Sequence, residues 1–222
     1  MTDKTRIKEI FSSVQGEGPY VGYKQLFIRF CGCNLNCSYC DTDYDPQNSQ
    51  EYDVDELVNI INKNLDCHSV SLTGGEPLLH TGFLKEFLPK CPLPVYLETN
   101  ATLAGELGEI IDYIDYISAD IKLESCSKNN SLFNEHDRFF EVASCKELFA
   151  KIVFDENITE EEISQACTLG AKYRIELILQ PKMDKNNPAV HPEFNELTLD
   201  KFLAKYKKVR LIPQVHKFLN LK

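Results

Sequence analysis

No apolar run in this chain approaches the roughly 20 residues of a membrane-spanning helix, so no membrane association is expected. The opening MTDKTRIKEIF is charged and lacks the apolar segment of a secretion signal, which predicts a cytoplasmic protein. Positive charge is scarce. Against 34 Asp and Glu stand 24 Lys and Arg, a formal net charge of −10. A nucleic-acid footprint needs a basic face to replace phosphate counterions, so no direct nucleic-acid contact is expected. A local basic pocket for a small anion is still compatible with that balance. Internal repeats, low-complexity segments and linkers are also missing, and a single domain over residues 1–222 is expected. With 43% hydrophobic and 26% charged residues, that domain should be globular with a substantial core.

A disulfide framework is absent too. The cysteine count is odd, at nine, and Cys31, Cys33, Cys37 and Cys40 crowd into ten residues. In a cytoplasmic chain such crowding reads as metal binding. Cys67, Cys91, Cys126, Cys145 and Cys167 are dispersed, and most should be buried as small apolar side chains.

What the chain does have is alternation of strand and helix patterns. Apolar β-formers predict strands at 25–30, 69–73, 94–98, 116–121, 148–154, 174–180 and 209–214. Between them, Val54, Leu57, Val58, Ile61 and Leu65 share one helical face behind a capping box of Asp53 and Glu56. Thr159 and Glu162 repeat that start signal, with Gly170 placed to end the helix, and a last helix begins at Thr198. Many successive strands lie about 30 residues apart, as βαβ units require. A parallel sheet with outer helices follows, either doubly wound or an incomplete barrel. The polar stretches 123–138 and 182–195 are expected as long mobile loops.

The strongest chemical signal is Cys33-x3-Cys37-x2-Cys40, directly after a strand. Three thiolates leave one iron of a [4Fe–4S] cubane open to an amino acid's amine and carboxylate, as S-adenosylmethionine offers. Adding Cys31 gives two alternatives, a structural zinc site or a fully ligated electron-transfer cluster; unliganded thiols are a third. Cys31 forms a tight Cys-x-Cys bite and ends a strand, where alternation can point it inward. A second signal is Thr73-Gly74-Gly75-Glu76-Pro77. Its glycines permit close approach of a ligand, and Glu76 can accept from an ammonium. Alone it is an ordinary glycine turn. One βα unit after the cysteine trio, it is specific.

Together the Cys-x3-Cys-x2-Cys loop and Gly-Gly-Glu-Pro resemble the radical S-adenosylmethionine superfamily. That resemblance implies a partial (βα)6 TIM-like barrel. It also implies one-electron cleavage of the cofactor's sulfonium to a 5′-deoxyadenosyl radical, which abstracts hydrogen from substrate. The rest of the chain is similar to the 7-carboxy-7-deazaguanine synthase family of queuosine biosynthesis. The similarity lies in Lys8–Phe11, Val14–Gly18, Phe30, Gly32–Leu35, Cys40–Thr42, Glu98–Asn100, Leu179–Pro181 and Pro213–Lys217. It implies radical ring contraction of 6-carboxy-5,6,7,8-tetrahydropterin to 7-carboxy-7-deazaguanine with loss of ammonia, and regeneration of S-adenosylmethionine. A homodimer and an electron donor such as flavodoxin or ferredoxin are implied as partners.

Carried over residue by residue, the resemblance makes Cys33, Cys37 and Cys40 the cluster ligands and Thr42, between Asp41 and Asp43, the Mg²⁺ ligand. Ser38, Tyr39, Asp41, Gly75, Glu76, Ser118, Asp120, Lys122, Gln180, Pro181, Lys182 and Met183 become cofactor contacts. Residues 118–122 read Ser-Ala-Asp-Ile-Lys where many relatives read Ser-Pro-Lys. Val14, Gln15, Gly16, Arg29, Thr73 and the carboxylate of Lys222 become substrate contacts. Read without the resemblance, 14–16 is also a plain turn, Arg29 a surface ion-pair residue and Thr73 a turn cap. His80 and His216 receive no catalytic role. Two other functions compete: a glycyl-radical activase, which Asp120-Ile121-Lys122 resembles in part, and an iron–sulfur electron carrier or zinc-binding module.

Overall fold

The computed structural model describes residues 4–184 and 187–222. One strand precedes the alternating pattern, and a short one lies between its first strand and first helix. Strand β1 (Thr5–Val14) pairs antiparallel with β2 (Lys24–Phe30), and the short β3 (Gln50–Tyr52) pairs antiparallel with β1. From β2 onward each strand is followed by a helix: α1 (Val54–Ile61), β4 (Ser69–Gly74), α2 (Thr81–Phe87), β5 (Val95–Thr99), α3 (Ala104–Ile110) and β6 (Tyr116–Asp120). The chain continues through α4 (Glu124–Ser127), α5 (Phe133–Ala143), β7 (Glu147–Phe154), α6 (Glu160–Tyr173) and β8 (Glu176–Pro181). A small β9 (Met183–Asp184) and β10 (Asn187–Pro188) ribbon, α7 (Pro192–Lys205), β11 (Val209–Leu211) and α8 (Val215–Phe218) complete it.

Strand order resolves the choice between doubly wound sheet and barrel. The sheet runs β11-β8-β7-β6-β5-β4-β2-β1-β3. From β2 to β11 the order is sequential and every pairing parallel, with no reversal point. A doubly wound sheet reverses its order. Successive helices pack beside one another, α1 on α2, α2 on α3, α3 on α5, α5 on α6 and α6 on α7. Six βα units and a closing strand therefore curl into a partial barrel. No pairing joins β11 to β1 or β3 among the described residues.

Alternation along each strand then sorts side chains to two faces. Ile28, Leu72, Leu97, Ile117, Ile152 and Leu179 join the large core beneath the helices. Tyr96, Phe149 and Ile178, on the opposite face, form a small second core. The helices start for local reasons. Asp53 and Glu56 close a reciprocal capping box on α1, and Thr159 with Glu162 does so on α6.

Several boundaries differ from the sequence expectation. Leu65 lies beyond α1 and is exposed. Helix α6 runs past Gly170 to Tyr173 and is capped by Arg174 in the left-handed region, φ 58°. Gly170 is instead a packing position, since a Cβ there would lie 2.9 Å from Tyr206. The stretch 123–138 is not a loop: it holds α4 and the start of α5, because Phe133, His136, Phe139 and Phe140 give it an apolar face. Within 182–195, β9 pairs with β10 and α7 starts at Pro192, six residues before the expected Thr198. Residues 185 and 186 of that stretch lie outside the described residues, as do 1–3 of the opening. Among the described residues no helix is long and apolar enough to cross a membrane. Cys67, Cys126 and Cys167 are buried, as expected of dispersed cysteines, whereas Cys145 is exposed.

The capping box anchors the start of α6, and Glu162 also accepts from the Ser125 backbone at 2.9 Å. Thr159→Ala should cost about 1 kcal/mol and lower Tm by roughly 2–4 °C, measured by thermal unfolding followed by circular dichroism.

Candidate active site

The inner face of the barrel is polar where a packed barrel would be apolar. Parallel strands buried on both faces normally read as continuous apolar runs. Here the inward positions include, beside Phe27, Gln25 and Arg29 on β2, Ser71 and Thr73 on β4, and Glu98 on β5. Ser118 and Asp120 follow on β6, Lys151 on β7 and Gln180 on β8. Tyr96, Tyr116, Phe149 and Ile178 close the N-terminal end of this face, with Tyr20 packed on them. A cavity of about 490 Å³ opens at the other end, lined by the cysteine loop and the strand ends.

The glycine turn joins the cysteine loop to the barrel. Gly74 has φ +124°, and a Cβ there would sit 2.3 Å from the Phe30 oxygen. A Cβ on Gly75 would sit 1.9 Å from the Gly32 oxygen. Gly75 N–H donates to Phe30 O at 3.1 Å and Glu76 N–H to Gly32 O at 2.8 Å. The backbone that these glycines admit is thus that of residues 30–32, not only a ligand. Glu76 departs from its expected role. It is fully buried, outside the cavity, and accepts from Leu78 N, Thr99 Oγ1 and Asn100 N at 3.1, 2.9 and 2.8 Å. Burial raises its carboxyl to about 7 despite those three donors. It ties β4 to β5 beneath the turn.

Most of the other expected residues meet in the cavity. Cys33, Cys37, Cys40, Tyr39, Asp41, Thr42, Val14, Gln15, Gly16, Arg29, Thr73 and Gly75 line it. So do Asp120, Lys122, Gln180, Pro181, Lys182, Met183 and Lys222. Ser38 does not, because its N–H and Oγ are both spent on Ser127 O and Cys126 O at 2.9 Å. Ser118 is buried at the bottom of the inner face, with its hydroxyl against Tyr96. Cys31 is also buried and outside the cavity, its carbonyl accepting from His80 Nε2 at 2.7 Å. That bond places the His80 proton on Nε2, and Nδ1 then accepts from Thr5 at 2.8 Å. His80 is structural.

The two chain ends converge on this cavity. Val215 N–H donates to Gly16 O at 2.8 Å, and a Cβ on Gly16 would collide with His216 at 2.2 Å. The Gln15 amide reaches Gln25 and Glu98 at 2.9 and 2.8 Å and accepts from Glu17 N at 2.9 Å. Glu98 also accepts from Ser71 and Thr73 at 3.2 and 2.9 Å. Across β1 and β2, Arg29 pairs with Glu9 at 3.4 Å and donates to Thr42 Oγ1 at 3.4 Å. Phe11 stacks on Phe27 with centroids 5.2 Å apart, and the Lys222 ammonium lies 4.8 Å above Phe11. Ser13 Oγ donates to the Lys222 main-chain oxygen at 2.8 Å, and Lys222 Nζ meets Glu9 at 3.0 Å.

A chain of buried charges spans the floor. Lys151 pairs with Glu17 and lies 3.4 Å from Asp120, which pairs with Lys122 at 2.7 Å. Gln214 donates to Glu17 at 2.6 Å. Burial alone would lift Glu17, but the Lys151 charge and the Gln214 bond hold it well below the usual carboxylate range. Burial would likewise lower both lysines, yet Asp120 keeps each charged, with Glu17 adding to Lys151. The Lys122 ammonium sits 5.4 Å over the Tyr39 ring, linking this chain to the cysteine loop. Basic side chains at least balance acidic ones around the cavity, in a protein whose net charge is −10.

The donor set fits an iron–sulfur cluster and S-adenosylmethionine. Three thiols face one cavity while Cys31 faces elsewhere. Among the described residues no three His, Cys, Asp or Glu side chains converge as a single metal ion would require. A cubane takes its thiolates on separate irons. N–H donors already point at sulfur: Leu35 N at 3.4 Å from Cys33 Sγ and Asn129 Nδ2 at 3.1 Å from Cys37 Sγ. Burial pushes both thiols up, so the charge of bound iron would hold them as thiolates. Tyr39 Oη and Gln180 Oε1 are buried at the cavity with no hydrogen-bond partner among the described residues, as sites for a polar cofactor.

Sequence reasoning did not single out Glu9, Glu17, Glu98 or Lys151 as site residues. A signal existed, since each is a charged residue in strand register with inward neighbours or beside the Gln15 turn. Lys151→Met should leave Glu17 without its cation, while Asp120 keeps Lys122, at a cost of about 3–5 kcal/mol, measured by urea unfolding. Glu17→Gln in the same chain should recover part of that loss.

Comparison with known proteins agrees with this geometry. The radical SAM superfamily profile matches residues 27–143. A protein named 7-carboxy-7-deazaguanine synthase from Geobacter sulfurreducens is 36% identical over 96% of both chains. One of the same name from Methanothermobacter thermautotrophicus is 35% identical over 97% of both. The crystal structure of QueE from Escherichia coli superposes with a TM-score of 0.67, at 19% identity over 96% of this chain and 95% of that one. It supports the fold alone. By full-length kinship and by its cysteine loop, this chain belongs to the 7-carboxy-7-deazaguanine synthase family of the radical SAM superfamily.

Proposed function

We infer that this chain contracts the pyrazine ring of 6-carboxy-5,6,7,8-tetrahydropterin to give 7-carboxy-7-deazaguanine and ammonia, a step of queuosine biosynthesis. The observation that carries this reading is the shared cavity: three loop cysteines open onto the same space as Arg29, Gln15 and Glu98. The radical SAM family supplies a [4Fe–4S] cluster and S-adenosylmethionine, which when bound deliver the one-electron chemistry that starts hydrogen abstraction. Cys33, Cys37 and Cys40 would hold the cluster. Tyr39, Gly75, Asp120, Lys122 and the segment Gln180, Pro181, Lys182 and Met183 would hold the methionine and nucleoside parts. The reaction removes ammonia without net oxidation, so S-adenosylmethionine is regenerated.

The protein's own part is binding and orientation. Arg29 lies four residues before Cys33 on the strand that delivers the cluster loop, and its planar fork suits the substrate carboxylate. Glu98 can accept from the donor edge of a pterin, and its neighbours Gln15, Ser71 and Thr73 fix its orientation. The Lys222 ammonium lies over Phe11 at the cavity, and Lys222 is proposed as a further substrate contact. For Mg²⁺ the donors are few: Asp41 pairs with Lys217 and Asp43 with Lys8, leaving the Thr42 hydroxyl. One protein oxygen suffices for an ion that keeps waters and takes substrate oxygens, so Thr42 is the proposed ligand. A single domain, a homodimer and reduction by a flavodoxin or ferredoxin complete the reading.

Anaerobic reconstitution followed by incubation with carboxytetrahydropterin, S-adenosylmethionine and dithionite should yield 7-carboxy-7-deazaguanine in excess of 5′-deoxyadenosine. Equal amounts of the two would count against cofactor regeneration, and no deazaguanine would sink the assignment. Arg29→Lys loses a shielded charged hydrogen bond of about 1.5–3 kcal/mol, so kcat/KM should fall roughly 10- to 150-fold. Iron content should be unchanged in this variant.

A further inference from the structure

We propose that Asn129, outside every motif discussed so far, sets how readily the iron–sulfur cluster accepts its electron, through a hydrogen bond to the Cys37 sulfur. The inference rests on Cys37 being a cluster ligand. Of the N–H groups near the three sulfurs, the Asn129 amide is the closest, with Nδ2 3.1 Å from Cys37 Sγ. Cys33 receives a longer backbone N–H from Leu35 at 3.4 Å, and Asn100 Nδ2 lies 3.9 Å away while bonding Asn34 at 2.8 Å. The Cys40 sulfur reaches only the Thr42 carbonyl, at 3.8 Å.

Asn129 is held there from outside the cysteine loop. Helix α4 ends on Lys128 in the left-handed region, φ 64°, which turns the chain toward the loop. Asn129 N–H donates to the buried Ser127 Oγ at 3.2 Å, and Ser127 O accepts from Ser38 N–H at 2.9 Å. The Ser38 hydroxyl donates to Cys126 O at 2.9 Å. Residues 126–129 therefore grip both the backbone beside Cys37 and its sulfur. A ligating thiolate can only accept, so the amide must present its NH₂ group.

The direction of the effect follows from charge. Reduction adds one electron from an external reductant, and no bond is made or broken. Negative charge on the sulfurs increases, so an N–H donor stabilises the reduced form more than the oxidised one. Removing that donor should make reduction harder.

The test is a redox titration of the reconstituted protein, without S-adenosylmethionine or substrate, followed by electron paramagnetic resonance and by iron and sulfide content. Asn129→Ala and Asn129→Leu should keep the cluster and reduce the equilibrium constant for reduction about tenfold, or about 59 mV for one electron. Asn129→Gln, which retains an amide donor, should lie closer to the wild type. Unchanged potentials in Ala and Leu would overturn the proposal. So would a Gln shift as large as the Ala shift, or loss of iron from both donor-free variants, which would mark a structural support. Cys37→Ala should lose the cluster while Cys31→Ala keeps it; the reverse would overturn the ligand reading itself.

Discussion

Lys151 carries a buried positive charge between two partly buried carboxylates, Glu17 and Asp120, and the site is organised around it. Desolvating such ions costs several kcal/mol each, and the cost is offset only when every charge has a close partner. The alternation Glu17, Lys151, Asp120, Lys122 meets that condition across elements far apart in sequence. Glu17 brings the turn after β1, and Gln214, bonded to Glu17, brings the C-terminal tail. Lys122 brings the cysteine loop through the Tyr39 ring. The central ammonium thus adds a charged link to the backbone bond from Val215 N–H to Gly16 O that joins the two ends of the chain.

A second constraint acts on the backbone. The approach of Gly74 and Gly75 to residues 30–32 leaves no room for any Cβ. Glu76, buried behind this contact, fastens the turn to the end of β5 through Thr99 and Asn100. The glycine turn thus fixes the start of the cysteine loop against the barrel. A loop that must present three thiolates needs such anchoring, because its own residues make few contacts with the core.

The other side of that loop is secured by α4 and α5. His136 Nε2 accepts from Lys122 N at 3.0 Å, so Nδ1 carries the proton and donates to Ala101 O at 3.1 Å. Burial lowers this histidine to about 4, which keeps it neutral and able to serve as both donor and acceptor. The segment 123–138 therefore supports the Lys122 backbone as well as the Cys37 sulfur. Its polar composition masked this role, because its apolar face is carried by few residues, Phe133, Phe139 and Phe140 among them.

The parallel strands, the α1 and α6 caps and the cysteine and glycine motifs were all legible in the sequence, because periodicity, capping and ligand spacing are local properties. Local residue order also carried the family resemblance and, through it, most of the cavity lining. Periodicity alone did not choose between a doubly wound sheet and a partial barrel, since that depends on which strands are neighbours and in what order. The family resemblance implied the barrel that the strand order shows. The pairing of Glu17 with Lys151, separated by 134 residues, was not legible, nor was that of Asn129 with Cys37, separated by 92. The displaced roles of Glu76, Ser38 and Ser118 have the same origin. A residue type states which bonds it can make, and only the fold decides which partner reaches it first.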